Sequence, residues 1–184
     1  MATKDAPGRL ETVREFVNTT DLEGGTEDLA DPATLRDWLA ARDLVAPGTE
    51  LSPADLARAV EFREALRDAL VANHDGVNDP HALEAINRTA AGARLVVRLA
   101  PDGSSSLEPD GGGIEGALGR LLAIVYTAKA EGTWDRLKIC KRDTCRWAFY
   151  DQSKNRSGSW CSMAVCGNKE KAAAYRRRHS DASA

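Results

Sequence analysis

All four cysteines of the chain fall within one 27-residue window, spaced Cys140-x4-Cys145-x15-Cys161-x4-Cys166. Two matched pairs separated by a hairpin-length insert suit a tetrahedral metal site, because each pair offers two thiolates and the insert lets the pairs face one another. Four thiolates favour Zn²⁺ in a closed, structural site with no position left open for chemistry. The alternatives are two disulfides or unrelated reduced thiols.

The redox compartment decides between them. Residues 1–8 have no apolar stretch of the kind that opens a secretory signal. The longest apolar run, Leu121 to Tyr126, is six residues, against about 20 for a membrane span. A cytoplasmic chain with no membrane partner is expected, and clustered cysteines in a reducing compartment read as metal ligands.

Charge divides the chain. Residues 1–134 carry 13 Lys and Arg against 23 Asp and Glu, a balance of −10, whereas residues 135–184 carry 12 against 5, a balance of +7. The formal charge of −3 therefore hides a basic C-terminal module joined to an acidic body. A compact cationic patch attracts polyanions, nucleic acid first among them.

The body reads as mostly helical. Leu10, Val13, Phe16 and Val17 recur at helical spacing up to an Asn18–Asp21 breaker, and an acidic, Gly-containing loop is expected from Glu23 to Asp28. Asp31-Pro32, Ser52-Pro53 and Asp79-Pro80 each supply an N-cap and a first-turn proline, the last helix closing near Gly92. Arg94–Leu99 reads as a strand that turns at Asp102-Gly103 and returns through Ser106–Glu108. The apolar helix from Ile114 to Ala130 should be the most buried, and residues 180–184 should fray.

Within the helix after Ser52, Arg63 and Arg67 fall inside the apolar stripe of Leu56, Val60, Phe62, Leu66, Leu70 and Val71. Buried guanidiniums need partners. These could be acids of the chain such as Glu11 or Glu15, or water reached over long apolar stems. Alternatively, with Asn18 and Thr19, the arginines line a pocket for a small anionic ligand, a carboxylate or phosphate.

Two motifs are set aside. Gly111–Gly116 formally reads GxGxxG, but no hydrophobic strand precedes it. The three histidines form no metal pair and no Ser/His/Asp order. With a closed thiolate site as well, an enzyme is not expected.

In the basic module, Arg146–Asp151 has strand composition and Ser153–Gly158 is a basic turn. Ser159-Trp160 returns to Cys161, and Lys169–Arg178 favours helix. The expected order is cysteine pair, hairpin, cysteine pair, helix. Trp147 and Trp160 should pack around the metal rather than stack on bases.

At these residues the chain resembles the CGNR zinc-finger family: Cys161-x4-Cys166-Gly167-Asn168, then Lys169 where the name-giving arginine stands, after Cys140-x4-Cys145-Arg146–Asp151. The body resembles the ABATE domain usually paired with it, through Phe16–Thr19, Leu35–Leu39 with Trp38, and Arg63–Arg67. That resemblance implies a stress-linked transcription regulator that binds nucleic acid.

The expected fold is mainly α (α+β). It comprises a helical domain over residues 1–134 with one small β-hairpin, and a treble-clef-like, four-cysteine zinc module over 135–184. The first functional expectation is a DNA-binding regulator whose body senses a small anion or forms a homodimer. Its DNA contacts would come from Arg142, Arg146, Lys154, Arg156, Lys169, Lys171, Arg176, Arg177 and Arg178. The alternative is an adaptor whose zinc module docks an acidic protein.

Overall fold

The computed structural model of the chain describes residues 5–180. Residues 181–184, where most of the frayed end was expected, lie outside that range.

Local chemistry starts the helices where the sequence indicates. Helix α1 spans Leu10–Val17 and α2 spans Pro32–Ala40. At α2 the Asp31 carboxylate accepts from the backbone N–H groups of Ala33 and Thr34, and the Thr34 hydroxyl accepts from Asp31 N–H, a reciprocal cap. Helix α3, Pro53–Ala69, repeats this with Ser52 and Asp55. After the short α4, Ala72–Asp75, helix α5 covers Pro80–Ala93 behind an Asp79 cap. It closes near Gly92, as expected, ending at Ala93 with Arg94 in the left-handed region at φ 46°.

Three two-stranded antiparallel sheets occur among the described residues. The expected hairpin is β3, Leu95–Leu99, with β4, Ser105–Pro109. A second was missed: β1, Thr20–Asp21, pairs with β2, Thr26–Glu27, inside the stretch read as breaker and loop. Asp21 makes its turn by accepting from Glu23 and Gly24 N–H. Two-residue strands of polar residues leave no hydrophobic alternation to find.

Helix α6, Gly113–Ala130, forms the centre of the body and buries ten of its 18 residues. Gly119 lets it sit close to the end of α5 and to β4, since a Cβ there would lie 2.7 Å from Ala93 Cβ and 2.9 Å from Pro109 Cβ. In the same core cluster as α6 lie Leu10, Val13 and Phe16 of α1, Leu35 and Leu39 of α2, and Phe62, Leu66 and Leu70. Each such side chain contributes about 2 kcal/mol on burial.

A 3₁₀ turn, Trp134–Arg136, leads to the third sheet, β5, Leu137–Ile139, with β6, Ala148–Tyr150. Leu137, Ile139 and Ala148 belong to the same apolar cluster as α1 and α6. The division at residue 134 is therefore a division of sequence and charge, but not of packing. A π turn, Met163–Gly167, then runs into the last helix, α7, Asn168–Ser180. No described helix is long and apolar enough to cross a membrane.

Candidate metal centre and its basic surface

The β5–β6 hairpin carries the first cysteine pair in its connection. Cys140 N–H donates to Trp147 O at 2.9 Å, Cys145 N–H donates to Arg142 O at 2.8 Å, and Arg146 takes φ 45° to bring the chain back into β6. This corrects the expected order: β6 lies between the cysteine pairs, but its partner β5 precedes Cys140. The second pair arrives on the return segment, anchored by Lys141 N–H to Ser159 O at 3.0 Å. Cys166 sits in the π turn, whose start is capped by the Ser162 hydroxyl. Gly167 has no room for a side chain, because a Cβ would fall 2.4 Å from Met163 Sδ and 3.1 Å from Trp160 Cδ1.

The four Sγ atoms lie within 4.8 Å of one another, and Cys145–Cys161 and Cys161–Cys166 are each 3.7 Å apart. All four thiols are free, which removes the disulfide alternative. Zinc–sulfur bonds of about 2.3 Å in a tetrahedron require sulfurs about 3.8 Å apart. The donor set fits one zinc ion. Trp147, Trp160 and Val165 pack around the sulfurs as a small apolar shell.

Electrostatics favours a cation at this point. The Cys140 thiolate, accepting hydrogen bonds from the neighbouring thiols, is held far below the usual cysteine range, and the same bonds push Cys145 up to about 12 and Cys161 higher still. Four anions cannot share this space unaided; a divalent ion removes the conflict. Four protein sulfurs would fill the coordination sphere, so its role is structural.

Residues 11–130 match the ABATE family, described as "putative stress-induced transcription regulator", and residues 136–179 match the CGNR zinc finger. The chain belongs to the ABATE family. No curated protein matches it. The two matches divide the ABATE chain where its charge divides.

A buried ion pair shapes the CGNR finger beyond its sulfurs. Lys138 Nζ donates to Asp151 Oδ2 at 3.0 Å and also to Arg156 O. Asp151 further accepts from Ser153 N–H at 3.0 Å and Gly158 N–H at 2.7 Å. Burial alone would raise the Asp151 pKa, but Ser153, Lys138 and the Gly158 N–H hold it well below the carboxylate range. The loop bearing Lys154 and Arg156 is thereby fixed in place. Sequence reading missed this role of Lys138 and Asp151; a lone lysine in an apolar strand, Leu137-Lys138-Ile139, was the available signal.

The four residues read as an anion pocket do come together, with their polar groups spent on the chain itself. Arg63 forms a two-pronged pair with Glu27, at 2.7 and 2.8 Å, and donates to Glu64 and to the Thr19 hydroxyl. Arg67, wholly buried, donates to Glu64 at 2.9 Å and to the carbonyls of Val17 and Arg146. Asn18 bonds Ala148 of β6 twice, donating to its carbonyl at 2.9 Å and accepting from its N–H at 2.7 Å. Glu27 takes the place assigned to a ligand carboxylate, which corrects the pocket expectation. The partners are Glu27 and Glu64, not Glu11 or Glu15, which pair instead with Arg14 and Arg42. A cleft of about 720 Å³ lies elsewhere, between the start of α1, β4 and α6.

The nine expected nucleic-acid contacts fall into two groups. Lys154 stands exposed on the 151–158 loop, and Lys171, Arg176, Arg177 and Arg178 stand exposed along α7. The other four meet carboxylates of the acidic half or its border: Arg142 and Lys169 meet Glu23, Arg146 meets Asp68, and Arg156 meets Asp135.

Proposed function

We propose that this ABATE chain is a transcription regulator that binds DNA through its CGNR finger. The observation supporting the reading is the cationic helix α7, which starts two residues after Cys166 and presents Lys171 and Arg176–Arg178 to solvent. Such a helix has the width of a major groove, and phosphate contacts from its arginines would provide most of the affinity. Lys154 on the fixed loop offers a further phosphate contact.

The second reading, an adaptor for an acidic protein, draws on the carboxylates of Glu23 and Asp68, which already satisfy finger cations within the chain. Fluorescence anisotropy of the zinc-loaded chain on random-sequence duplex DNA over a salt series separates the two. Regulator chemistry gives affinity that falls with salt. Converting Arg176, Arg177 and Arg178 to Gln should flatten that slope by up to about 2.7 in log–log terms, on the basis of about 0.9 per phosphate lost. No DNA binding at low salt, with retention of an acidic protein instead, would transfer the case to the adaptor.

A further inference from the structure

The β1–β2 hairpin projects from the acidic body with Glu23 at its tip. One carboxylate there meets two finger cations: Oε2 lies 2.5 Å from Arg142 Nη1, and Oε1 lies 2.8 Å from Lys169 Nζ. These cations flank the metal centre from both cysteine pairs, since Arg142 stands between Cys140 and Cys145 and Lys169 follows Cys166. They converge on the one Glu23 carboxylate, while Arg142 also donates to the Cys166 sulfur and lies 4.0 Å from Glu170 of α7.

Docking the finger does not depend on this contact. Asn18 to Ala148, Asn73 to the carbonyl of Leu137, and Arg67 to Arg146 O already join the two halves through inner hydrogen bonds. Glu23 is about a third exposed and Lys169 about half, so their bridge is open to exchange with solvent anions. The base of the hairpin is firm, because Glu27 of β2 is gripped by Arg63 and its own backbone neighbour Leu29. A fixed base and an exposed acidic tip make a carboxylate that stays near the cations after leaving them.

A phosphodiester presents the same chemistry as that carboxylate: a singly charged oxyanion with acceptor oxygens for one guanidinium and one ammonium. We propose that Arg142 and Lys169 form a phosphodiester-binding pair of the finger, and that the chain occupies it with Glu23 as an internal mimic of DNA phosphate. The inference rests on the DNA-binding reading above and adds a regulation to it. The body lowers the affinity of the finger by competing within the same chain, at high effective concentration.

The test is anisotropy of the zinc-loaded full chain on random-sequence duplex DNA, comparing wild type, Glu23→Gln and Glu23→Gln/Lys169→Gln over a salt series. Zinc stoichiometry and melting temperature measured on each variant keep a folding defect apart. Glu23→Gln should bind about tenfold more tightly near 0.1 M salt, with a log–log slope steeper by up to about 0.9 as one further phosphate is engaged. The double variant should lose most of that gain. If Glu23→Gln and wild type coincide at every salt concentration, the bridge is only a docking contact, and the mimic idea is wrong while DNA binding stands. Absence of DNA binding by all three proteins would overturn the parent reading and this inference with it.

Discussion

The ABATE body and the CGNR finger each hold a set of cations in fixed positions, and they do so by different physics. In the body, Arg63 and Arg67 lie inside an apolar stripe and are satisfied by Glu27, Glu64 and backbone carbonyls. There the hydrophobic core around α6 does the folding, and the charges follow. The finger has only a thin apolar shell around four sulfurs, so a metal must replace the missing core. Some of its cations, Lys154 on the loop fixed by the Lys138–Asp151 pair and Lys171 and Arg176–Arg178 on helix α7, are exposed. The difference shows that buried arginines act as fasteners, whereas those of α7 stay accessible to solvent.

The two regions nonetheless share a seam, and the largest predicted effect tests it. Stripping zinc with a chelator should unfold the finger and also lower the melting temperature of the body by about 10 °C or more, because Leu137, Ile139 and Ala148 leave its core. Circular dichroism melts with and without chelator read this directly. A body that melts unchanged would make the regions independent.

Next in size is Arg67→Met. It removes the donors to Glu64, Val17 O and Arg146 O from a wholly buried site, and should cost about 3 kcal/mol in chemical denaturation. Asn18→Ala should cost about 2 kcal/mol by leaving both backbone groups of Ala148 unpaired. Amide exchange at Ala148 should speed up while α2 stays protected; equal speeding in both would mean that Asn18 serves the whole body and not the seam. Smallest is Ser52→Ala, which removes the cap of α3 and should cost about 1 kcal/mol. Its zinc affinity should equal that of wild type, and a weakened affinity would show that the two regions are coupled more tightly than their contacts indicate.

Much of the local structure was legible because its causes are local. Asp31-Pro32, Ser52-Pro53 and Asp79-Pro80 mark helix starts through caps made within three residues. The apolar density of residues 114–130 marks the most central helix, and the cysteine spacing marks the metal site. The β1–β2 hairpin was not legible, since two-residue polar strands carry no pattern. Nor was the place of β5, a three-residue strand ahead of the first cysteine.

From the sequence by itself came the clustering of four cysteines in 27 residues, which points to one ion, and an acidic body carrying a basic tail. Spacing along the chain limits which sulfurs can meet, and composition sets charge whatever the fold. Which cations are spent was set by the fold in three dimensions. Arg63 could have faced a ligand or an acid, and Arg142 and Lys169 could have faced solvent or Glu23. Those choices depend on residues 36, 119 and 146 positions away, distances over which no sequence pattern fixes who meets whom.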